Sequence, residues 1–502
     1  MIFTSLKFIL FMGVVFALYY TLPKKNQWKL LLAASYVFYA FASPVFLVFL
    51  LATTVITYAG TNLMEKNAGQ KKPIMIVTAV LVLGMLVVFK YAAFMLENFS
   101  LLLGIFGIRA NFPTLRLILP IGLSFYIFQS LGYCVDVYRE LVAAEKNFFK
   151  HALYVSFFPQ LLQGPIGDYS RLGHQLFEEH SFSRKESVFG VQRAAWGFFK
   201  KLVVANQISV AIDSVWGQSS LYSGFVFWLF MLALYAIQLY ADFSGYMDIA
   251  LGCAQTLGIS MDENFDTPYL SKSVAEFWRR WHITLGAWFK NYVFYPVLRS
   301  NFVSDIRKKW RKSHPYLSNS LTNIIALSVV WFLTGLWHGA DWGYVAWGMY
   351  YFVFLALSVL LAPLYAAFYK RFPTLEQNKA FSVFRIARTF VIVILGYAFF
   401  RPANLSVSFE IFAQMTRGLG VSALLDFALT NLKQLFAAFV GIAALLFVDI
   451  YHFNQKEISL RQLIAGKGAA LRWFVYIAFV ASIIILGVYA RPELNQFAYF
   501  RF

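Results

Sequence analysis

Residues 321–365 read LTNIIALSVVWFLTGLWHGADWGYVAWGMYYFVFLALSVLLAPLY. Two apolar runs, 321–337 and 344–365, flank a short connection through His338, Gly339 and Asp341, and neither run carries a charged side chain. A helix needs about 20 mostly apolar residues to cross a hydrocarbon core. The stretch therefore predicts two membrane-crossing helices joined by a tight turn. The same pattern fills the chain, with apolar segments at 8–22, 30–63 (interrupted at Pro44), 73–96, 98–108, 117–135, 152–166, 188–213, 222–256, 383–399, 434–452 and 473–490. Some are short for one span and others long enough for two. The fold class read from them is all-α, a polytopic membrane protein with roughly eleven to thirteen membrane-inserted helices.

Composition agrees with this. Of 502 residues, 60% are hydrophobic, 19% aromatic and 13% charged, where a soluble domain carries about 25% charge. That shortage excludes a disordered chain, a disulfide scaffold and a water-soluble enzyme. No polar stretch is long enough for a separate soluble domain, so residues 1–502 are read as a single membrane domain. The net charge of +19 comes from lysines and arginines clustered between apolar runs. This is the pattern of positive-inside topology and contact with anionic lipid, not of nucleic-acid binding. With the clusters at 299–312, 370–388 and 456–472 in the cytosol, the later spans alternate consistently. Trp337-His338-Gly339 then lies at a turn remote from the cytosol, and residues 497–502 lie on the outer face. The run 8–22 ends in Pro23-Lys24-Lys25 without a small-x-small cleavage site and reads as a retained first span. Cys134 and Cys253 lie in apolar sequence, which argues against a structural disulfide or a cysteine-bound metal.

Chemistry is sought first among the seven histidines. His151, His174, His180 and His314 neighbour polar loop residues, and His452 ends a span. His282 and His338 instead sit among aromatics in membrane-associated sequence, where an ionisable group is costly unless it faces a cavity or a partner. Gly335 and Gly339 around His338 permit close backbone approach. A neutral imidazole there can take a proton from a hydroxyl, or it can tie a helix junction by hydrogen bonds. Residues 274–289 place Phe277, Trp278, Trp281, Leu285, Trp288 and Phe289 at helical spacing, with Glu276, Arg279, Arg280 and His282 among them. That spacing predicts one amphipathic helix at or dipping into the interface. Asp242 and Asp248 are carboxylates in an apolar stretch, suited to a polar substrate or to structural pairing. There is no GxxxxGK[ST], HExxH, CxxC or GxSxG, so phosphate-loop, metal and serine-nucleophile chemistry find no support.

Several patches occur together and in order: 119–126 (LPIGLSFY) with Asp136-Val137-Tyr138-Arg139; Phe158-Pro159-Gln160 with Gly164-Pro165; residues 242–248; Glu263-Asn264-Phe265 with Pro268-Tyr269-Leu270; residues 276–282; and 334–339. As a set they resemble the membrane-bound O-acyltransferase family, in its bacterial branch of alginate and peptidoglycan O-acetyltransferases. Asp341 departs from the pattern, which more often has asparagine there. The resemblance implies a ring of tilted helices around a central tunnel that contains two histidines. His338 matches the catalytic histidine, and His282 matches a second one nearer the cytosol.

The resemblance further implies a donor, acetyl-CoA from the cytosol, and no bound cofactor or metal. Arg279, Arg280 and the 299–312 cluster are candidates to meet its phosphates, and Trp337, Asp242 and Asp248 to line the substrate path. It also implies a bacterial inner membrane and an extracytoplasmic acyltransferase partner acting on a polysaccharide. Related systems carry a C-terminal aromatic hexapeptide with a tyrosine acceptor, which makes Tyr499 in 497–502 a candidate acyl carrier; interfacial anchoring is the other reading of that tail. Teichoic-acid D-alanyl transfer, a transporter or flippase of lipid-linked sugars, and a membrane scaffold are the competing functions.

Overall fold

In lipid, backbone amides find no water, and a helix satisfies them within one segment. The computed structural model describes residues 1–108, 112, 117–402, 404–455 and 457–489, and these are organised as helices. The β-structure among them is one isolated antiparallel bridge, Phe265 to Trp281. Among the described residues, eight helical stretches are long and apolar enough to cross a membrane: Leu47–Lys66, Ala68–Ile105, Phe225–Thr256, Pro315–His338, Trp342–Leu360, Lys379–Phe400, Leu432–Asn454 and Ala469–Leu486. Leu6–Thr21, Leu405–Met415 and Val421–Thr430 are shorter apolar helices. The all-α, multi-pass reading holds.

Three segments differ from the sequence expectation. The runs 73–96 and 98–108 belong to one 38-residue stretch, Ala68–Ile105, which passes through a π-helical turn at Val87–Tyr91. The run 152–166 gives no span; it is split between Phe148–Ser156 and a one-turn helix, Phe158–Leu161, with Pro159 in its first turn. The single amphipathic helix expected over 274–289 is two short helices, Val274–Arg280 and Ile283–Phe289, broken at His282.

The chain forms two compact units, and it passes from the second back to the first inside the Phe225–Thr256 helix. The first unit joins Met1–Gly197 to Tyr246–Asp262. There the Leu47–Lys66 helix buries a face of small residues, Thr53, Thr54, Thr57, Gly60 and Thr61. A Cβ at Gly60 would stand 2.3 Å from Thr78 Oγ1, so the Thr78 side chain of the Ala68–Ile105 stretch packs directly on the Gly60 backbone. Close contact through small residues is how helices gain packing energy where lipid supplies no hydrophobic drive.

The second unit holds Phe198–Gly245 and the described residues between Glu263 and Tyr489. Its centre is the hairpin of Pro315–His338 and Trp342–Leu360. A Cβ at Gly335 would lie 2.4 Å from the Tyr344 carbonyl oxygen, and one at Gly348 would lie 2.3 Å from that of Trp331. These glycines let the helices close on each other just before His338. Asp341 caps the returning helix, its Oδ1 accepting from Gly343 N at 2.6 Å. The departure from asparagine therefore preserves a side-chain oxygen at the N-cap. Lys379–Phe400 packs alongside, held by Tyr350 and Tyr351 hydroxyls that donate to the carbonyls of Ile392 (2.7 Å) and Val393 (2.9 Å).

Candidate active site

His338 is the last residue of its helix, buried, and followed by Gly339, whose lack of a Cβ leaves room for the Tyr344 ring. Three aromatic rings meet the imidazole nearly perpendicularly: Trp347 at 4.6 Å between centroids, Trp337 at 5.0 Å and Phe400 at 5.2 Å. Each helix of the hairpin and the Lys379–Phe400 helix thus contributes one wall.

His282 arrives from a different kind of element. The Phe265–Trp281 bridge lays residues 264–266 beside 280–283, with Asp266 N donating to Arg280 O and Ile283 N to Asn264 O, each at 3.0 Å. His282 turns the chain with φ +49° and ψ +51°, a left-handed conformation that is rare outside glycine. Its Nδ1 lies 3.3 Å from Asn264 Oδ1, which also accepts from Thr284 N and Thr284 Oγ1 at 3.0 Å each. Burial holds its pKa down at about 3, because the charged ring would lose its hydration.

Phe243 and His282 meet edge to face at 4.7 Å between centroids, and Trp337 meets the same imidazole at 5.8 Å. Trp337 therefore touches both imidazoles. The resemblance implies that His282 lies nearer the cytosol than His338; in the structure the Trp337 indole packs against both rings. Around this pair His282 Nε2, Trp278 Nε1 and Trp347 Nε1 are buried with no hydrogen-bond partner. Trp278 links into the same layer through Trp331 (4.7 Å), Tyr351 (4.9 Å) and Trp347 (5.5 Å). Two N–H donors and one imidazole nitrogen thus lie buried among the rings around the histidines.

The remaining candidates separate. Arg280 is committed, bonding Glu276 Oε1 through Nε at 3.1 Å, the Asp266 carbonyl at 3.1 Å and Thr267 Oγ1 at 3.1 Å. Arg279 is exposed beside it. Asp242 forms a buried ion pair with Lys201 at 2.5 Å, and Asp248, in the first unit, pairs with Arg193 at 3.0 Å. Both carboxylates thus have the structural pairing that the sequence left open. Tyr499 lies outside the described residues. The last described helix, Ala469–Leu486, ends where Gln207 and Asn206 side chains donate to the carbonyls of Leu486 (2.7 Å) and Val488 (3.0 Å).

Sequence reasoning assigned no role to Asn264, Trp347, Phe400 or Lys201. Lys200 and Lys201 fall inside the apolar run 188–213, and an intramembrane charge is itself a signal. The other three meet the histidines only through tertiary contact.

Residues 137–401, which include both histidines, match the family described as MBOAT, membrane-bound O-acyltransferase family. The chain is 31% identical to the probable alginate O-acetylase AlgI of Azotobacter vinelandii across the whole of both proteins. It is 30% identical to the peptidoglycan O-acetyltransferase of Helicobacter pylori, covering 78% of this chain and 74% of that one. It is 26% identical to the teichoic acid D-alanyltransferase of Bacillus subtilis, covering 58% and 71%. The chain belongs to the membrane-bound O-acyltransferase family. It is a multi-pass membrane acyltransferase, and the transporter and scaffold readings give way to that assignment.

Proposed function

We propose that this enzyme takes an acetyl group from cytosolic acetyl-CoA and delivers it across a bacterial inner membrane for O-acetylation of an extracytoplasmic polysaccharide such as alginate or peptidoglycan. The observation that carries the reading is the pair of buried histidines bridged by Trp337 inside a shared aromatic layer. The full-length similarity to a protein named as an alginate O-acetylase favours acetyl over D-alanyl, for which the similar span is shorter. Residues 1–502 act as one catalytic domain around a tunnel holding His282 and His338, with no resident cofactor or metal.

In this reading His338 accepts the proton of an attacking hydroxyl. The oxygen adds to the thioester carbonyl, the carbon–sulfur bond breaks, and the proton held by His338 passes to the departing CoA thiolate. Buried indole N–H groups suit the oxygen that gains charge in the tetrahedral intermediate. His282 acts beside it, and Trp337 fixes the separation of the two rings. Arg279 is the better placed of the two arginines for CoA phosphates, since Arg280 is spent on Glu276, Asp266 and Thr267. Asp242 and Asp248 support the substrate path through their ion pairs. Tyr499 is the hydroxyl that first receives the acetyl group and passes it to an extracytoplasmic acyltransferase partner.

Membrane vesicles containing the protein, given radiolabelled acetyl-CoA and followed by peptide mapping, test this. Label at Tyr499 in wild type, lost in both His338→Ala and Tyr499→Phe, is the expected result. Release of CoA that is unchanged in His338→Ala would overturn the assignment of the base. No CoA release from wild type would overturn the donor. Transfer to glycan that survives Tyr499→Phe in full would remove the carrier.

A further inference from the structure

Asn264 determines more about the site than its place in a loop suggests. A backbone N–H can only donate, so the contact from Thr284 N at 3.0 Å identifies Oδ1 as the oxygen end of the Asn264 amide. Thr284 Oγ1 donates to the same atom at 3.0 Å. His282 Nδ1 lies 3.3 Å from this oxygen and must carry its proton to face it. In a neutral imidazole the lone pair is then on Nε2, the atom that is buried with no hydrogen-bond partner. The Asn264 carbonyl also accepts from Ile283 N at 3.0 Å. One residue therefore grips the left-handed turn from both its side chain and its backbone. Phe243 and Trp337 pack against the His282 ring, at 4.7 and 5.8 Å between centroids.

A strained backbone persists where its surroundings over-determine it, and such residues gather at functional sites. A buried acceptor left without a partner is costly unless something fills it. We propose that Asn264 is a positioning residue: its amide oxygen locks His282 into the Nδ1–H tautomer and so presents the Nε2 lone pair to a neutral hydrogen-bond donor, a hydroxyl or amide N–H, of the bound substrate. The depressed basicity of His282 suits accepting such a bond better than removing a proton, leaving that task to His338. This rests on the acyl-transfer reading of the site.

The test compares acetyl transfer by wild type, Asn264→Leu, Asn264→Asp, Thr284→Val, His282→Gln and the Asn264→Leu/His282→Gln double variant, each checked for monodisperse elution in detergent. Asn264→Leu is expected to lose about 10–100-fold, the scale seen when an orienting partner is removed. Asn264→Asp keeps an oxygen opposite Nδ1 and is expected to recover most of the rate. Thr284→Val removes one donor to Asn264 but leaves the bond to His282, and is expected to stay near wild type. The double variant is expected to be no worse than His282→Gln alone, because the two residues act as one unit. Additive losses, or Asn264→Leu within threefold of wild type, would overturn the proposal. Wild type and His338→Ala run alongside separate the two failures: no acetyl transfer by wild type would mean that the acyl-transfer reading has failed instead, and a fully active His338→Ala would remove only His338 as the base.

Discussion

The indole of Trp347 crosses the imidazole of His338 with ring centroids 4.6 Å apart and planes 78° apart, and its Nε1 is buried without a hydrogen-bond partner. A hydrogen bond to a buried indole N–H is worth about 1–3 kcal/mol when its loss leaves the group unpaired, so this donor is suited to an acceptor oxygen of a bound substrate. Trp347→Phe keeps a ring against Phe400 and Tyr351 but removes the donor. Its expected phenotype is a thermal midpoint close to wild type with acyl transfer lowered about 10²–10³-fold, the scale for one lost oxyanion donor. Thermal unfolding in detergent and initial rates decide it. A large fall in midpoint with a normal rate per folded molecule would show that the indole only packs.

Gly335 and Gly348 set how closely the two helices approach beside His338. The atoms that a new Cβ would meet are the Tyr344 and Trp331 carbonyl oxygens, at 2.4 and 2.3 Å, and backbone cannot swing aside as a side chain can. Gly335→Ala is expected to destabilise by about 1–3 kcal/mol through overpacking and to impair transfer by displacing His338 from Trp347. Gly84→Ala is the matched control, since no atom lies within 4 Å of its new Cβ. Its midpoint and its rate should both stay near wild type. Equal behaviour of the two variants would refute the close-packing argument.

The fold class was legible because lipid imposes one demand on every segment, and uncharged runs such as 321–337 and 344–365 meet it visibly. The turn at His338 could be placed because glycines and an N-capping Asp341 punctuate it locally. The break at His282 could not. Its aromatic spacing is truly helical on both sides, and what stops the helix is Asn264, 18 residues earlier in the chain. Phe243, Trp347 and Phe400 reach the histidines from three different helices, and no periodicity along one segment records a contact between segments. Lys201 was legible in principle, as a charge inside an apolar run, but its partner Asp242 was not.

The Lys201–Asp242 pair supplies the third prediction. Both side chains are almost fully buried and 2.5 Å apart, with Lys201 in a π-helical turn, Lys200–Ala205. Removing one partner of such a pair strands a charge and costs about 3–5 kcal/mol, whereas replacing both costs far less. Lys201→Met and Asp242→Asn are each expected to lower the thermal midpoint sharply. The double variant should recover much of the loss. A double-mutant cycle measures the coupling, and additive losses would show that the pair does not act as one unit.

Acid sensitivity follows from His151, a residue remote in sequence from both candidate catalytic histidines. The Thr57 hydroxyl donates to Thr53 O at 2.7 Å, so it can only accept from His151 Nε2–H at 2.9 Å. Nδ1 is buried without a hydrogen-bond partner, and burial pushes the pKa down to about 3. In the unfolded chain the ring titrates near 6.5. Because the folded value is the lower one, the unfolded state binds more protons as the pH drops between the two. Stability is therefore full above about pH 6.5 and falls progressively towards pH 3. His180, also lowered by burial, adds to the same slope. Thermal midpoints between pH 8 and pH 5, above the range where most carboxylates titrate, should decline below pH 6.5 in wild type. His151→Gln should flatten that decline while leaving the part owed to His180. An identical pH slope in the variant would mean that His151 is not protonated on unfolding, and the assignment of its buried neutral tautomer would have to be withdrawn.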